Sequence, residues 1–514
     1  MGTDACATGV AAGAEYQNRS LCQGKIRQHP HFFCGGASAV PLGGSADFRM
    51  AAAGNGLASA RARVYNEPPA RERGPTVMDY NFTTCTAIAI FLIVYAFIIS
   101  ERIHRTVIAL LGAVLMVVFG CVTQEAAFTE FIDFNTIALL TGMMIQVHVL
   151  SKTGLFNFLS IWAAKKTKGN PMALMVALSI LVAVCSAFLD NVTTVLLTVP
   201  LTFTLAKDLK ISPMPFIIAQ VLASNIGGTA TLIGDPPNIM IGSAVAEIDF
   251  MSFIYNLTVP CVISFIVTVA ILLFIYRKQL VAAPEDRQVV MNMDLRGLIV
   301  NPGLMHKCLF TLGVTILLFC SHSAFPDWKV EPGVIAMLGA SLLLLLVMPN
   351  KEEKIVETLS SVEWATIFFF CGLFVLVGGL ETQGVIKAMA QGVLDITHGD
   401  IPAATYSILG LSAVMSAFVD NIPFVATMIP LLKDMGATAG WNFATMEPLW
   451  WALSLGACLG GNGTVIGASA NVVALSLARK HGLHVSFMQF FVVGFPLMLL
   501  SVAISGVFLW VKFL

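Results

Sequence analysis

Ser186-Ala187-Phe188-Leu189-Asp190-Asn191 returns 230 residues later as Ser416-Ala417-Phe418-Val419-Asp420-Asn421, and the reading of that pair decides the fold. Pro200 matches Pro430 at the same offset, as do Asp133, Thr136, Gly142 and Gly154 with Glu363, Thr366, Gly372 and Gly384. Leu111-Gly112-Ala113 matches Leu338-Gly339-Ala340 at 227, while Gly227, Gly228, Thr231, Gly234 and Asn238 match Gly460, Gly461, Thr464, Gly467 and Asn471 at 233. Anchors in unchanged order with small shifts in spacing mark one duplicated unit, and two similar membrane halves are the pattern of a secondary transporter.

Composition supports a membrane setting. Of 514 residues, 57% are hydrophobic and 11% charged, where a soluble chain carries roughly 25% charged residues. This excludes a water-soluble enzyme, and a formal net charge of -1 removes nucleic acid as a partner. Eleven cysteines at irregular spacing form neither a metal-type pair nor a disulfide framework, so they read as small apolar fillers. From Asn81 onward apolar runs follow closely, and most have the roughly 20 residues that an α-helix needs to cross the hydrocarbon. Four runs, 171–206, 214–246, 401–432 and 446–478, are long and broken internally by Asn, Asp, Gly or Pro.

The resulting expectation is an all-α polytopic membrane protein. It has two inverted-topology repeats of five crossings plus a re-entrant hairpin each, with discontinuous helices at the midplane. Residues 1–77 are expected to be a disordered tail, 78–277 the first repeat, 278–303 a cytoplasmic linker and 304–514 the second repeat. The tail shows no signal-peptide core, and Met78 stands just before the first apolar run as an alternative start. His29, His31 and Cys34 lack a second ligand cluster and are not read as a metal site. Placing the linker in the cytoplasm puts Arg102, Arg105, Lys165, Lys166, Lys207, Lys210, Arg277, Lys351, Arg479 and Lys480 on that side, with only Lys329, Lys387, Lys433 and Lys512 opposite. On this reading no Lys or Arg remains for the membrane interior.

Asp190 and Asp420 then stand as carboxylates in apolar sequence without a basic partner, a cost of about 2.5–3.5 kcal/mol even on insertion scales. Such groups line pathways, yet Asp-Asn is also a natural N-cap for the second arm of each hairpin, and both roles are open. The segment Asn225-Ile-Gly227-Gly228-Thr229-Ala-Thr231-Leu-Ile-Gly234-Asp235-Pro-Pro-Asn238 interrupts what would be a crossing helix, since Gly costs about 1 and Pro about 3 kcal/mol in a helix interior. Its counterpart Gly460-Gly461-Asn462-Gly463-Thr464-Val-Ile-Gly467-Ala468-Ser469-Ala-Asn471 keeps the pattern but has Ala468 in place of Asp235. A phosphate-binding loop is rejected, because the stretch has no Walker lysine and no neighbouring Lys or Arg.

The strings FLDNVTTVLLTVP, NIGGTATLIGDPPN, VDNIPFVATMIP and GACLGGNGTVIGASANVV resemble the ArsB/NhaD-type transporters of the ion transporter superfamily across residues 78–514. The resemblance implies hairpin tips at Asp190, Asn191, Asp420 and Asn421, with Thr193 beside them, and unwound segments over Asn225 to Asn238 and Gly460 to Asn471. It implies a midplane substrate site drawn from these residues, Ser469 included. Members of this group are linked with sodium/proton antiport, arsenite, antimonite or silicic acid efflux, and melanosomal anion conductance. Asp-Asn tips in place of the Ser-Asn-Thr of dicarboxylate carriers argue against dicarboxylates.

The expected activity is therefore sodium or lithium antiport against protons, with efflux of a neutral hydroxide or an anion conductance as alternatives. An intramembrane aspartyl protease is the rival from another class. Expected partners are a small inorganic ion or neutral hydroxide, the lipid bilayer and a second copy in a homodimer, with no cofactor and no structural metal. Among lesser candidates, His148 reads as a packed, hydrogen-bonded histidine and Asp133 and Glu363 as helix-start carboxylates. Glu101 and Glu381 read as helix-end carboxylates, Trp364, Trp450 and Trp451 as interface anchors, and Leu155–Lys166 as an interfacial helix. Asn18 and Asn81 lie in chance-prone glycosylation sequons.

Overall fold

The computed structural model describes residues 81–100, 102–324, 330–347 and 351–514. The tail with Asn18, His29, His31 and Cys34, together with Met78, Glu101 and Lys329, lies outside the described residues. Among the described residues the chain is helical throughout and has no β-strand. Eight helices there are long and apolar enough to span a bilayer. The protein is an integral, multi-pass membrane protein.

The first half runs α1 (Phe82–Ser100), α2 (Arg105–Val118), α3 (Phe134–Ser151), α4 (Leu155–Lys166), α5 (Pro171–Phe188), α6 (Asn191–Asp208), α7 (Met214–Thr229), α8 (Pro236–Ala244) and α9 (Phe250–Tyr276). A short helix, α10 (Pro284–Met291), leads to the second half. There follow α11 (Pro302–Ala324), α12 (Pro332–Val347), α13 (Glu352–Ser360), α14 (Trp364–Thr382), α15 (Val385–Thr397) and α16 (Ile401–Phe418). The chain closes with α17 (Asn421–Ala439), α18 (Phe443–Gly460), α19 (Ser469–Lys480) and α20 (Phe487–Phe513).

Local chemistry explains the boundaries. Asn170 and Asp400 cap the starts of α5 and α16, each followed by proline in the first turn, where a missing N–H costs nothing. Asp133 caps α3 and Asp249 caps α9. Gly154 and Gly384, repeat equivalents, both take the left-handed backbone that opens α4 and α15. Outside the spans, Lys152 pairs with Glu357 at 2.6 Å and holds that carboxyl below its ordinary range. Lys210 pairs with Asp286 at 2.8 Å, which ties α10 to the first half and raises the lysine.

Packing joins the halves crosswise. Helix α2 packs on α14, and its counterpart α12 packs on α3. Within each half, the helix that precedes the break packs on the one two positions before it, α7 on α5 and α18 on α16. Lipid gives helices no hydrophobic reason to associate, so close backbone approach at small residues supplies the attraction. A Cβ added to Gly372 would stand 2.8 Å from the Ala109 carbonyl carbon, and one added to Gly142 2.5 Å from that of Ala336. A Cβ on Gly460 would stand 2.6 Å from the Ala413 carbonyl oxygen, and Gly227 meets Ala183 even more tightly. Each contact has its repeat-equivalent twin, so the duplication extends to where the backbones touch.

Two sequence expectations need correction. Trp451 is fully buried, edge-on to Phe253 at 5.2 Å, with its indole nitrogen bonded to Glu447; Trp450 is buried as well. Both fill the core, and of the three expected anchors Trp364 alone is exposed. His148 is not satisfied by hydrogen bonding: its Nε2 is buried without a partner among the described residues.

Overpacking a close interface costs about 1–3 kcal/mol. Gly372→Ala and Gly460→Ala should therefore each lower the thermal unfolding midpoint of the detergent-extracted protein. Ala substitution at Gly410, where an added Cβ meets open space, should leave it unchanged.

Candidate functional site

The two helix breaks lie at 230–235 and 461–468, narrower than the sequence suggested. Asn225, Gly227, Gly228 and Thr229 remain inside α7, Gly460 ends α18, and Ser469 and Asn471 open α19. The difference has a physical reason. Gly227 and Gly460 serve close packing inside a helix, while Pro236 and Pro237 stand in the first turn of α8, where proline starts a helix.

Each break is held by an asparagine one turn beyond it. Asn238 Nδ2 donates to the carbonyls of Thr229 (3.0 Å) and Thr231 (2.9 Å), and Asn471 Nδ2 donates to those of Gly461 (2.7 Å) and Thr464 (2.8 Å). These amides satisfy carbonyls that the unwound backbone leaves free among buried residues. Ser454 Oγ donates to Asn238 Oδ1 at 2.6 Å, so α18 fixes the first clamp from the other half. Thr231 and Thr464 donate through Oγ1 to the carbonyls of Ala187 and Ala417, just before the Asp-Asn turns at Asp190 and Asp420. Gly234 and Gly467 press against the carbonyls of Gly228 and Gly461.

The halves meet through a second asparagine set. Asn225 Nδ2 donates to Asn462 Oδ1 and Asn471 Oδ1, both at 2.9 Å, and all three residues are buried. Asn225 Oδ1 has no partner among the described residues.

Both tips cap their second arms. Asp190 Oδ2 accepts from Thr193 N and Thr193 Oγ1 at 2.9 Å, and Asp420 Oδ1 accepts from Ile422 N at 3.2 Å. Asp235 occupies the capping position of α8 and makes no capping bond. Its carboxylate, only 1% exposed, instead accepts from Asn421 Nδ2 at 3.3 and 3.4 Å, joining the first break to the second tip.

Asp420 is not without a basic partner. Arg105 Nη1 pairs with Asp420 Oδ2 and donates to Ser469 Oγ at 2.8 Å, while Ser469 Oγ donates to Asp420 Oδ2 at 3.0 Å. The guanidinium also lies over the Phe369 ring, 5.1 Å from its centroid. The expectation that every basic side chain stays in a loop therefore fails at Arg105. Its position at the first turn of α2 looks peripheral in sequence, but the crosswise packing of α2 on α14 carries its long side chain to the second tip. For Asp190 no ion pair occurs among the described residues.

A cavity of about 30 Å³ lies between the tips, lined by Arg105, Asp190, Asn191, Asp235, Glu363, Thr366, Asn421 and Ser469 with apolar neighbours. That volume holds about one or two small particles the size of water. Arg105, Glu363 and Thr366 also line an adjoining cleft of about 420 Å³ with His104, Thr106 and Trp364. Glu363 thus differs from its counterpart Asp133: it makes no capping bond and stands where cleft meets cavity. Sequence reasoning missed Arg105 and the placement of Glu363. Among the described residues no group of three His, Cys, Asp or Glu side chains gathers as a metal cage.

Interrupted helices around a small cavity with several polar side chains, in a polytopic helical chain, are the pattern of a membrane transporter. The sequence profile of the citrate transporter family matches residues 95–456, and the chain belongs to that family of the ion transporter superfamily. An uncharacterized transporter of Mycobacterium tuberculosis is 42% identical over 430 residues, covering 83% of this chain and 98% of its own. The P protein of Mus musculus is 35% identical over 500 residues, covering 82% of this chain and 60% of its own. The YdaH transporter of Alcanivorax borkumensis shares the fold at a TM-score of 0.51 and 15% identity, covering 84% of this chain and 98% of that one. A transporter family removes the aspartyl protease reading; the protein is not an enzyme.

Leaving a buried polar group unpaired costs about 1–3 kcal/mol. Asn238→Leu orphans two carbonyls and the Ser454 hydroxyl, and should destabilise the extracted protein by more than Asn225→Leu, which frees only two side-chain oxygens. Comparative thermal melts in one detergent check the order.

Proposed function

We propose that this transporter exchanges a small cation, sodium or lithium, for protons, and that it is built as two inverted repeats, each with a re-entrant hairpin. One observation carries the reading. Three carboxylates, Asp190, Asp235 and Glu363, line a cavity of about 30 Å³ whose one guanidinium is already paired with Asp420. A desolvated cation fits that polarity and size, and hard cations prefer oxygen ligands, which the tips and Asn side chains supply. Protons are the natural exchange partner for carboxylates at such a depth.

The family's description names citrate. A tricarboxylate would meet three carboxylates and one neutralised arginine in a space far smaller than itself, so it suits this cavity poorly. Efflux of a neutral hydroxide such as arsenite or silicic acid is the second reading, favoured by the amide-rich lining of Asn191 and Asn421. The anion conductance of the third expectation would draw on Arg105, but the carboxylates beside it oppose it. The resemblance to ArsB/NhaD-type carriers supports both antiport and efflux.

The larger cleft opens beside the 102–106 and 362–366 turns, the side that carries the basic loops. By the charge rule the site is therefore reached from the cytoplasm in this conformation. Matching helix order in both halves supports the repeat. With five crossings and a hairpin per half, cysteines introduced near Glu247 and near Lys480 should label from opposite faces in sealed vesicles; same-face labelling would refute the inverted arrangement.

Purified protein in liposomes under a pH gradient should move protons on addition of sodium or lithium and not of arsenite, silicic acid, chloride or citrate. Asparagine also caps helices well, so Asp190→Asn keeps the tip folded and removes its charge; flux should fall by about tenfold or more. Near-normal flux in that variant would return Asp190 to a capping role, and flux of arsenite or silicic acid with no response to sodium would make the efflux reading the better one.

A further inference from the structure

Arg105 belongs to neither hairpin and neither break, yet it touches both pieces of the second half's site. Its Nη1 reaches Asp420 at the tip and Ser469 in the first turn of α19, and the Phe369 ring supports the guanidinium from α14. The Arg105 and Asp420 side chains are 29% and 14% exposed, so the pair is largely shielded, while Arg105 itself lines both the cavity and the open cleft and the neighbours of Asp420, Asn421 and Ser469, line the cavity. Asp190, Asp235 and Glu363 line the same cavity, while Asp133, the sequence equivalent of Glu363, is spent on its own helix start. The local charge thus gathers one tethered cation and three further carboxylates around the same small cavity.

We propose that Arg105 acts as a built-in cation that competes with the transported ion for the second tip. This rests on the cation-exchange reading above. With no ion bound, the guanidinium holds Asp420 and keeps α19 against the tip through Ser469. Entry of a cation gives Asp420 a second partner, and Arg105 turns toward Glu363 at the cleft mouth. The tether lowers the fraction of protein ready to accept an ion, which raises the ion concentration needed for half-saturation in proportion. It also returns to Asp420 on release and prevents the empty site from carrying an uncompensated buried charge as it reorients.

The test compares wild type, Arg105→Gln and Arg105→Lys in liposomes, with sodium titrated under a fixed pH gradient. Removing the competitor should lower half-saturating sodium by about threefold or more in Arg105→Gln, with a lower maximal rate because release loses its displacing partner. Lysine keeps a charge that still competes for Asp420 but loses the planar guanidinium face that rests on the Phe369 ring, so its half-saturation should fall less, in the same direction. An unchanged or raised value in Arg105→Gln overturns the proposal, as does a reduced rate with unshifted half-saturation in both variants, which marks a merely structural pair. If Arg105→Gln cannot be extracted folded, an unshifted Arg105→Lys overturns it alone. A wild type that ignores sodium and lithium overturns the exchange reading and this proposal together, whereas an active wild type with unshifted variants overturns only the role of Arg105.

Discussion

The structure depends on one constraint: a backbone that stops being helical inside a membrane must find partners for the groups it frees, since each one left bare costs several kcal/mol. Asn238 and Asn471 meet it by the same means, each donating two hydrogen bonds back across its break. Once the breaks are closed in this way, the six- and eight-residue gaps become fixed parts with defined ends. Everything else in the site is placed from them. Asp235 is delivered at the end of one gap and Ser469 at the end of the other. The Asp-Asn turns at Asp190 and Asp420 are drawn in through Thr231 and Thr464.

Near-symmetry makes the departures informative. The clamps, the tip threonine bonds and the glycine contacts recur in both halves, and these are the features that hold the frame. Of the charged groups, Asp190 and Asp420 recur, but two others do not. Asp235 faces Ala468, and Arg105 has no partner role mirrored at the first tip, where Asp190 bonds to Thr193 of its own helix. The frame is thus near-symmetric while the charge set placed on it is not.

Much of this was legible in the sequence. The repeat marks both Asp-Asn turns and both breaks, and among its matched positions Gly142, Gly227, Gly372 and Gly460 pack closely while Asn238 and Asn471 clamp. Break width was not legible, because a glycine in a helix costs only about 1 kcal/mol and close packing outweighs it. Arg105 was misread for a different reason: a residue one position from a loop is normally solvated, and only the crosswise packing of α2 on α14 reveals how far its side chain reaches. Trp450 and Trp451 were assigned by a rule about interfaces, whereas the helix that carries them, α18, lies against α7, α9, α16 and α20 and buries both.

The exchange of partners between halves bears on how the chain is made. Gly142 receives Ala336, and Ala109 receives Gly372, so each contact joins residues separated by roughly two hundred positions or more. At about 5–20 residues per second, the ribosome delivers the missing partner some 10–50 seconds after the first member has entered the bilayer. Through that interval α2 and α3 present their small-residue faces, and Gln146 its amide, to lipid or to an insertion chaperone. Gln146 later bonds to Ala336 and Thr315 of the second half. The architecture that gives the finished transporter its interlock thus leaves the nascent first half waiting, and makes the interval before α12 and α14 arrive the stage at which the chain is most exposed to misassembly and quality control.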